Sequence, residues 1–249
     1  MIGVDCILNV HRERSDVLRA SLRSLLAVID GARQQDVRAR LTVVLDRAGP
    51  EQTALAETAI THLQSAQAGE LLEVDFGDLG QARNEGVRST ERPLVAFFDA
   101  DDLWSSDWVA AGAMLLDESS GGSQVVVNSD FNVVFDERRI IEVSRNLDSS
   151  RPLASAVYAV ANFSTSQLMT SRELVNRIPF PSRSDDEVFG FEDWEWSRLV
   201  ADEGVRRRVA PGTVHFVRRE SRSSSLMRTL GARLPRPVHR LRGTGSVIS

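Results

Sequence analysis

Four short apolar runs, each followed by a helical pattern, constrain this chain more than any other feature. Val4–Val10 reads as a strand, and Ser15 then opens a helix whose Leu18, Leu22, Leu25 and Ile29 recur at helical spacing until Gly31. Leu41–Leu45 and Leu71–Phe76 read as strands two and three, with a helix over Glu51–Gln67 between them and another over Gly80–Arg88 after. Leu94–Phe98 is the fourth strand, and a helix over Ser106–Glu118 follows it. Repeated βα units of this length predict an α/β fold with a mostly parallel, Rossmann-like central sheet and right-handed crossovers.

After Gly121-Gly122 the pattern changes. Gln124–Asn128, Asn132–Phe135 and Ile140–Val143 read as short strands in hairpins beside the sheet, and Ser149–Pro152 as a loop. Residues 161–204 carry another strand and two helical segments. Val205–Ala210 and Thr213–Val217 read as strands flanking a Pro211-Gly212 turn. From Ser221 onward Ser, Arg, Gly and Pro dominate, which predicts a weakly ordered or partner-dependent extension. The expected organisation is one domain over 1–220, with a nucleotide-binding half (1–120) and an acceptor-binding half (121–220), and a basic extension over 221–249.

The 249 residues suffice for one sizeable core. No run approaches the roughly 18 apolar residues of a membrane span. The opening Met1–Val10 carries an acid and no basic leader, so it reads as a strand and not as a secretion signal. Cys6 is the only cysteine, which excludes an intramolecular disulfide and a cysteine-based zinc site; a cytoplasmic protein is expected. All 30 basic residues are arginine, so neither a lysine Schiff base nor a lysine-bearing phosphate loop is available. Residues 206–249 hold 11 of these arginines against the single acid Glu220, within a chain of net charge −5.

Chemistry concentrates where the fourth strand ends. Pro93-Leu-Val-Ala-Phe-Phe-Asp-Ala-Asp-Asp102 places Asp99, Asp101 and Asp102 just past a buried run, at the edge where α/β sheets bind ligands. Residues two apart project to the same side of an extended chain, so Asp99 and Asp101 converge on one object. Two hard carboxylates suit Mg²⁺ or Mn²⁺ held jointly with a diphosphate. The plainer alternative is that these acids cap the next helix, a role that fits Asp102.

No glycine-rich loop follows the first strand, where Asn9-Val-His-Arg-Glu-Arg-Ser15 stands instead; this argues against dinucleotide-binding and P-loop domains. Asp46 ends the second strand and shares the carboxyl edge with Asp99 and Asp101. Asp75 lies within the third strand run. Arg83 and Asn84 fall in the first turns of the helix opened by Gly77-Asp-Leu-Gly80. Arg83 reads equally as a partner of a diphosphate or base, or as a surface residue paired with Glu85 or an acid on the next helix. Later, Phe189-Gly-Phe-Glu-Asp-Trp-Glu-Trp196 sets Glu192 and Asp193 at a helix start among aromatics, with Phe191, Trp194 and Trp196 as apolar walls and stacking faces. Acids at a helix start are favoured by the dipole alone, but a carboxylate among aromatics also has the raised pKa of a general base.

Together these stretches resemble the inverting glycosyltransferases of family 2, which have the GT-A fold. Val4-Asp-Cys-Ile-Leu-Asn-Val-His-Arg-Glu13 is similar to that family's first strand and nucleotide loop, without its usual proline. Leu79-Gly-Gln-Ala-Arg-Asn-Glu-Gly86, Phe98-Asp-Ala-Asp-Asp102 and Gly190-Phe-Glu-Asp193 are similar to its Ala-Arg-Asn, DxD and Glu-Asp motifs, in the same order. The resemblance implies that Asn9, Val10, His11, Glu13, Asp46, Arg83 and Asp99 contact the nucleotide, commonly UDP. It implies that Asp99, Asp101 and, in some relatives, a late histidine here matched by His215 hold Mn²⁺ or Mg²⁺. Asp193 is then the general base, and Glu192 and Trp194 hold the acceptor.

The expected activity is metal-dependent transfer of a sugar from a nucleotide-sugar donor, with inversion, to a hydroxyl of a glycan, lipid-linked or small-molecule acceptor, as in polysaccharide biosynthesis. The alternative is a non-catalytic sugar-nucleotide or glycan-binding module that keeps the fold. A nucleic-acid partner is not expected, because no aromatics interleave with the arginines of the tail. Leu226, Leu230 and Leu234 recur among those arginines, which suits either peripheral contact with the inner face of an anionic membrane or docking on an acidic subunit in a homo-oligomer.

Overall fold

The structure is a computed structural model that describes residues 1–63, 68–119, 124–136, 139–147, 158, 162, 164–182 and 192–219. Gly121-Gly122, the Ser149–Pro152 loop, Phe189–Phe191 and the extension 221–249 lie outside the described residues.

The first half follows the βα pattern closely. β1 (Ile2–Val10), α1 (Ser15–Gln34), β2 (Val37–Asp46), α2 (Pro50–His62), β3 (Ala68–Val74), α3 (Leu79–Arg88) and β4 (Leu94–Asp99) succeed one another, and β1 pairs in parallel with both β2 and β4. The short β5 (Leu103–Trp104) and α4 (Trp108–Glu118) follow, then β6 (Val125–Asp136), β7 (Ile140–Val143) and β8 (Met169–Ser171). α5 (Arg172–Arg177), α6 (Glu192–Asp202) and β9 (Arg206–Arg219) complete a nine-stranded sheet of order β3-β2-β1-β4-β8-β6-β9-β5, with β7 on β6. The strand order reverses at β1, with β2 on one side and β4 on the other, and the carboxyl ends at such a switch point are where α/β sheets place ligands.

Strand alternation divides the core. Cys6, Leu8 and Val10 of β1 and Ala96 and Phe98 of β4 pack on the layer of α1, α2 and α4. Ile7, Val95 and Phe97 face Ala82 and Val87 of α3, Leu174 of α5 and Trp196 and Val200 of α6. Asn9 and Asp99, paired across β1 and β4, fall by the same alternation on the α3 and α6 side. Close approach of α3 depends on Gly86, where a Cβ would lie 2.6 Å from Ile7 Cγ2.

Three expectations change. The third strand stops at Val74, so Asp75 lies beyond it, where it pairs with Arg47. The segments read as two short strands at 124–135, and those flanking Pro211-Gly212, are each one long strand, β6 and β9. Ser129-Asp130 and Pro211-Gly212 interrupt the apolar pattern, but the ladder passes them through a register shift, with Gly212 at φ 77° donating its N–H to Asp130 Oδ2 at 3.0 Å. Among the described residues no helix is long and apolar enough to cross a membrane.

Candidate active site

Asp46 builds the first wall. Its Oδ1 accepts the backbone N–H groups of Phe76 and Gly77, both at 2.9 Å, and its Oδ2 that of Asp78 at 3.2 Å. Gly77 sits at φ 62°, where a side chain would be strained, and Asp78 then caps α3 by accepting Gln81 N–H at 2.7 Å. A carboxylate has about four acceptor sites, and the three backbone N–H groups occupy three of those on Asp46. His11 leans on the same strand end, its Nδ1 2.5 Å from the Asp46 carbonyl, and its backbone N–H donates to Glu13 Oε2 at 2.7 Å. Val10 is buried in the core, so only its backbone is offered to the edge.

α3 delivers Arg83 to the centre. Arg83 is neither a surface residue nor a partner of Glu85, which pairs instead with Arg88. Its guanidinium is wholly buried, donates from Nη2 to Asp99 Oδ1 at 2.9 Å and from Nη1 to Glu192 Oε1, and lies 5.3 Å from the Phe180 ring centroid. Burial works against its charge, but Asp99 and Glu192 more than restore it, so Arg83 stays a cation. Asn84 supports this arrangement by exchanging hydrogen bonds with the Phe180 backbone at 2.8 and 2.9 Å.

Asp99 has both oxygens engaged, since Ser166 Oγ donates to Oδ2. Burial opposes its ionisation, but Arg83 and Ser166 outweigh that and hold the carboxyl below its usual range. Asp101 is the opposite case. Burial first, then the charges of Asp102, Asp99 and Glu13, push its pKa well up, and no donor or cation from another described residue reaches its carboxylate. Glu13 is also raised, chiefly by burial. Asn9 is buried, and among the described residues neither polar atom of its carboxamide has a partner.

Asp102 does not cap α4, which starts after Asp107. Its Oδ2 lies 2.8 Å from His215 Nε2, and its Oδ1 accepts the Arg218 N–H at 2.8 Å, so β9 straps the acidic loop. His215 also stacks parallel to Trp104, and its Nδ1 is buried without a partner. Asp99, Asp101 and His215 do not form a ready-made cage: among the described residues no three His, Cys, Asp or Glu side chains gather closely enough to hold a metal ion. The donor set fits a divalent ion differently. Asp101 is a hard carboxylate among like charges, with no partner from another described residue, which suits Mg²⁺ or Mn²⁺ completed by phosphate oxygens and water.

Asp193 follows Glu192 on α6 and accepts Asn162 Nδ2–H at 3.2 Å. Burial and the adjacent Glu192 charge raise its pKa to about 6, against the pull of Arg83. Trp194 donates its indole N–H to the Tyr158 carbonyl at 2.7 Å and packs beside Tyr158. Trp196 is not a wall of the site: it is buried under Phe180, with ring centroids 4.8 Å apart. Trp196 and Val200, four residues apart on α6, both lie in the core. Sequence reading missed Asn162, Ser164 and Ser166, because a polar run such as Ser164-Thr-Ser-Gln167 has the composition of any loop.

The arrangement is therefore an α/β sheet with acids gathered at the carboxyl ends of β1, β2 and β4 and, on α6, an acid of raised pKa within electrostatic reach of Asp99 and Arg83. The glycosyl transferase family 2 profile matches residues 6–178, and the chain belongs to that family. No curated protein sequence matches it significantly. Its fold is similar to that of TarS from S. aureus (residues 1–349, in complex with UDP-GlcNAc), with 16% identity, a TM-score of 0.60, and 91% of this chain and 61% of that one covered. It is similarly close to mannosyltransferase PcManGT from Pyrobaculum calidifontis in complex with GDP-Man and Mn²⁺, with 21% identity, a TM-score of 0.59, and 88% and 58% covered. The present chain thus spans about three fifths of these two solved chains.

Proposed function

We infer that this chain is a metal-dependent glycosyltransferase that moves a sugar from a nucleoside-diphosphate donor to an acceptor hydroxyl with inversion. One observation carries the reading: the buried Arg83 joins Asp99, at the crevice edge, to Glu192, whose neighbour is Asp193. Donor-side and acceptor-side acids are thereby held as one unit.

In this reading the nucleotide lies over the carboxyl ends of β1, β2 and β4. Asp46 offers its remaining acceptor site, Asn9 its unpartnered carboxamide, and the His11–Glu13 loop its backbone. Asp99, fixed by Arg83 and Ser166, takes the ribose side of the donor. Asp101, with phosphate oxygens and water, would hold Mn²⁺ or Mg²⁺, which when bound supplies charge neutralisation for the leaving diphosphate. Asp193 removes the acceptor proton as the acceptor oxygen attacks the anomeric carbon from the face opposite the diphosphate. A pKa of about 6 leaves it ionised at neutral pH while keeping it a competent base. Glu192 and Trp194 border the acceptor.

Thermal stabilisation by UDP-, GDP- and dTDP-sugars, each with Mn²⁺, tests this. A donor at 100 times its Kd stabilises by about 2.7 kcal/mol. Stabilisation by one donor class followed by its turnover supports the reading. Stabilisation without turnover reduces the chain to a binding module, and no stabilisation by any donor refutes it.

The acceptor class includes lipid-linked molecules because the extension over 221–249 holds six arginines and no acid. Co-sedimentation with anionic vesicles at low salt, full chain against a chain truncated after Ser225, tests that arm. Binding lost on truncation supports it, and equal binding removes it.

A further inference from the structure

We propose that Asn162 is the positioning residue for Asp193, holding the carboxylate in the rotamer and charge state in which it serves the acceptor. The inference rests on Asp193 being the base of the transfer reaction.

The orientation of the Asn162 amide is determined by its surroundings. Its Oδ1 lies 3.2 Å from the Ser164 backbone nitrogen, which can only donate, and 3.3 Å from Ser164 Oγ. Nδ2 is therefore the atom facing Asp193 Oδ2, as a donor at 3.2 Å. Ser164 is itself anchored. Its Oγ meets Ser197 Oγ at 3.2 Å and accepts from Tyr158 OH at 3.3 Å. Ser197 stands one helical turn after Asp193 on the same face of α6, and it accepts from the buried Arg207 at 3.1 Å. Arg207 in turn donates to Asn128, which fastens the Gln167 carbonyl at 2.6 Å.

The same short segment reaches the donor side, where Ser166 donates to Asp99. Asn162 and Ser166, four residues apart, thus set the position of the acceptor-side base and of the donor-side acid together. Asp193 is otherwise faced by Glu192 from its own helix, Arg83 from α3 and Asp99 from β4; Tyr158 and Arg207 stand behind Ser164. Beside the Trp194 backbone N–H, which also donates to this carboxylate, Asn162 contributes a neutral side-chain donor at hydrogen-bond distance.

Asn162→Asp separates positioning from loop structure. It keeps an acceptor for Ser164 but turns a second carboxylate toward Asp193 in place of the donor. Asn162→Ala removes both contacts. The full chain is titrated by ¹³C NMR of its aspartate carboxyls, with Asp193→Asn identifying the resonance, and turnover of the donor found by the stabilisation screen is followed against pH. The expected result is an Asp193 midpoint raised by about one pH unit or more in Asn162→Asp. Turnover at pH 6–7 should fall by about 10- to 100-fold, more in Asn162→Asp than in Asn162→Ala, with donor KM unchanged and the acid limb moved to higher pH. An Asn162→Asp protein whose Asp193 titrates as in the parent overturns the proposal. A shifted midpoint together with an Asp193→Asn protein of full turnover leaves the contact standing but overturns the base reading on which the positioning role rests.

Discussion

Arg83 Nη2 donates to Asp99 Oδ1 at 2.9 Å from a guanidinium with no exposed surface, and the same guanidinium reaches Glu192 109 residues later in the chain. Removing one member of a buried ion group leaves the others uncompensated, at a cost of about 3–5 kcal/mol. Arg83→Met should therefore lower stability by that order in urea melts, and Arg83→Met with Glu192→Gln should recover part of it. A loss below about 1 kcal/mol in the single variant contradicts the hub.

Gly86 sets how closely α3 approaches the sheet. A methyl group there meets Ile7 Cγ2 at 2.6 Å and Val44 Cγ2 at 3.1 Å. Gly86→Ala should cost about 1–3 kcal/mol through overpacking and displace Arg83 on the same helix. Chemical denaturation reads the first effect, and weakened nucleotide affinity the second.

Asp101 faces the like charges of Asp102, Asp99 and Glu13, and no other described residue donates to its carboxylate. Asp101→Asn should leave the metal-free fold as stable as the parent or more so, and should abolish the gain in UDP affinity that Mn²⁺ confers. Calorimetric titration with and without Mn²⁺ checks this, and an undiminished metal effect in the variant returns Asp101 to a structural role.

Asp193 has a folded pKa raised from 3.8 to about 6. The fold favours its protonated form, so the stability linked to this group is fully present below about 3.8 and is lost as pH rises through about 6. At pH 7 Asp193→Asn should stabilise the protein, on the order of 2 kcal/mol. Catalysis needs the ionised form, so turnover should fall about tenfold per pH unit below pH 6. A pH–rate profile that is flat from pH 5 to 8 contradicts the assignment.

The four parallel strands and four helices of residues 2–118 were legible because each βα unit carries its own apolar period, whereas the two-residue β5, which pairs with distant β9, was not. Nor were the long-range pairings. Asp102 looked like a cap because its partners, His215 and Arg218, stand more than 110 residues away on β9. Arg83 looked equally like surface, because neither Asp99 nor Glu192 is near it in sequence and burial of a charge is decided by such partners. β6 and β9 were divided at Ser129-Asp130 and Pro211-Gly212, where local propensity favours a turn but Asp130 and Gly212 satisfy one another across the ladder. Asn162 and Ser166 had no signal beyond polarity.

The central claim is that Asp193 is the base of a sugar transfer whose donor lies at the Asp99 edge. Turnover of the stabilising nucleotide sugar with Mn²⁺ at pH 7, in the parent and in Asp193→Asn, tests it most directly. The account predicts at least a roughly 10²-fold lower rate in the variant at unchanged nucleotide affinity. Equal rates in the two proteins would contradict it.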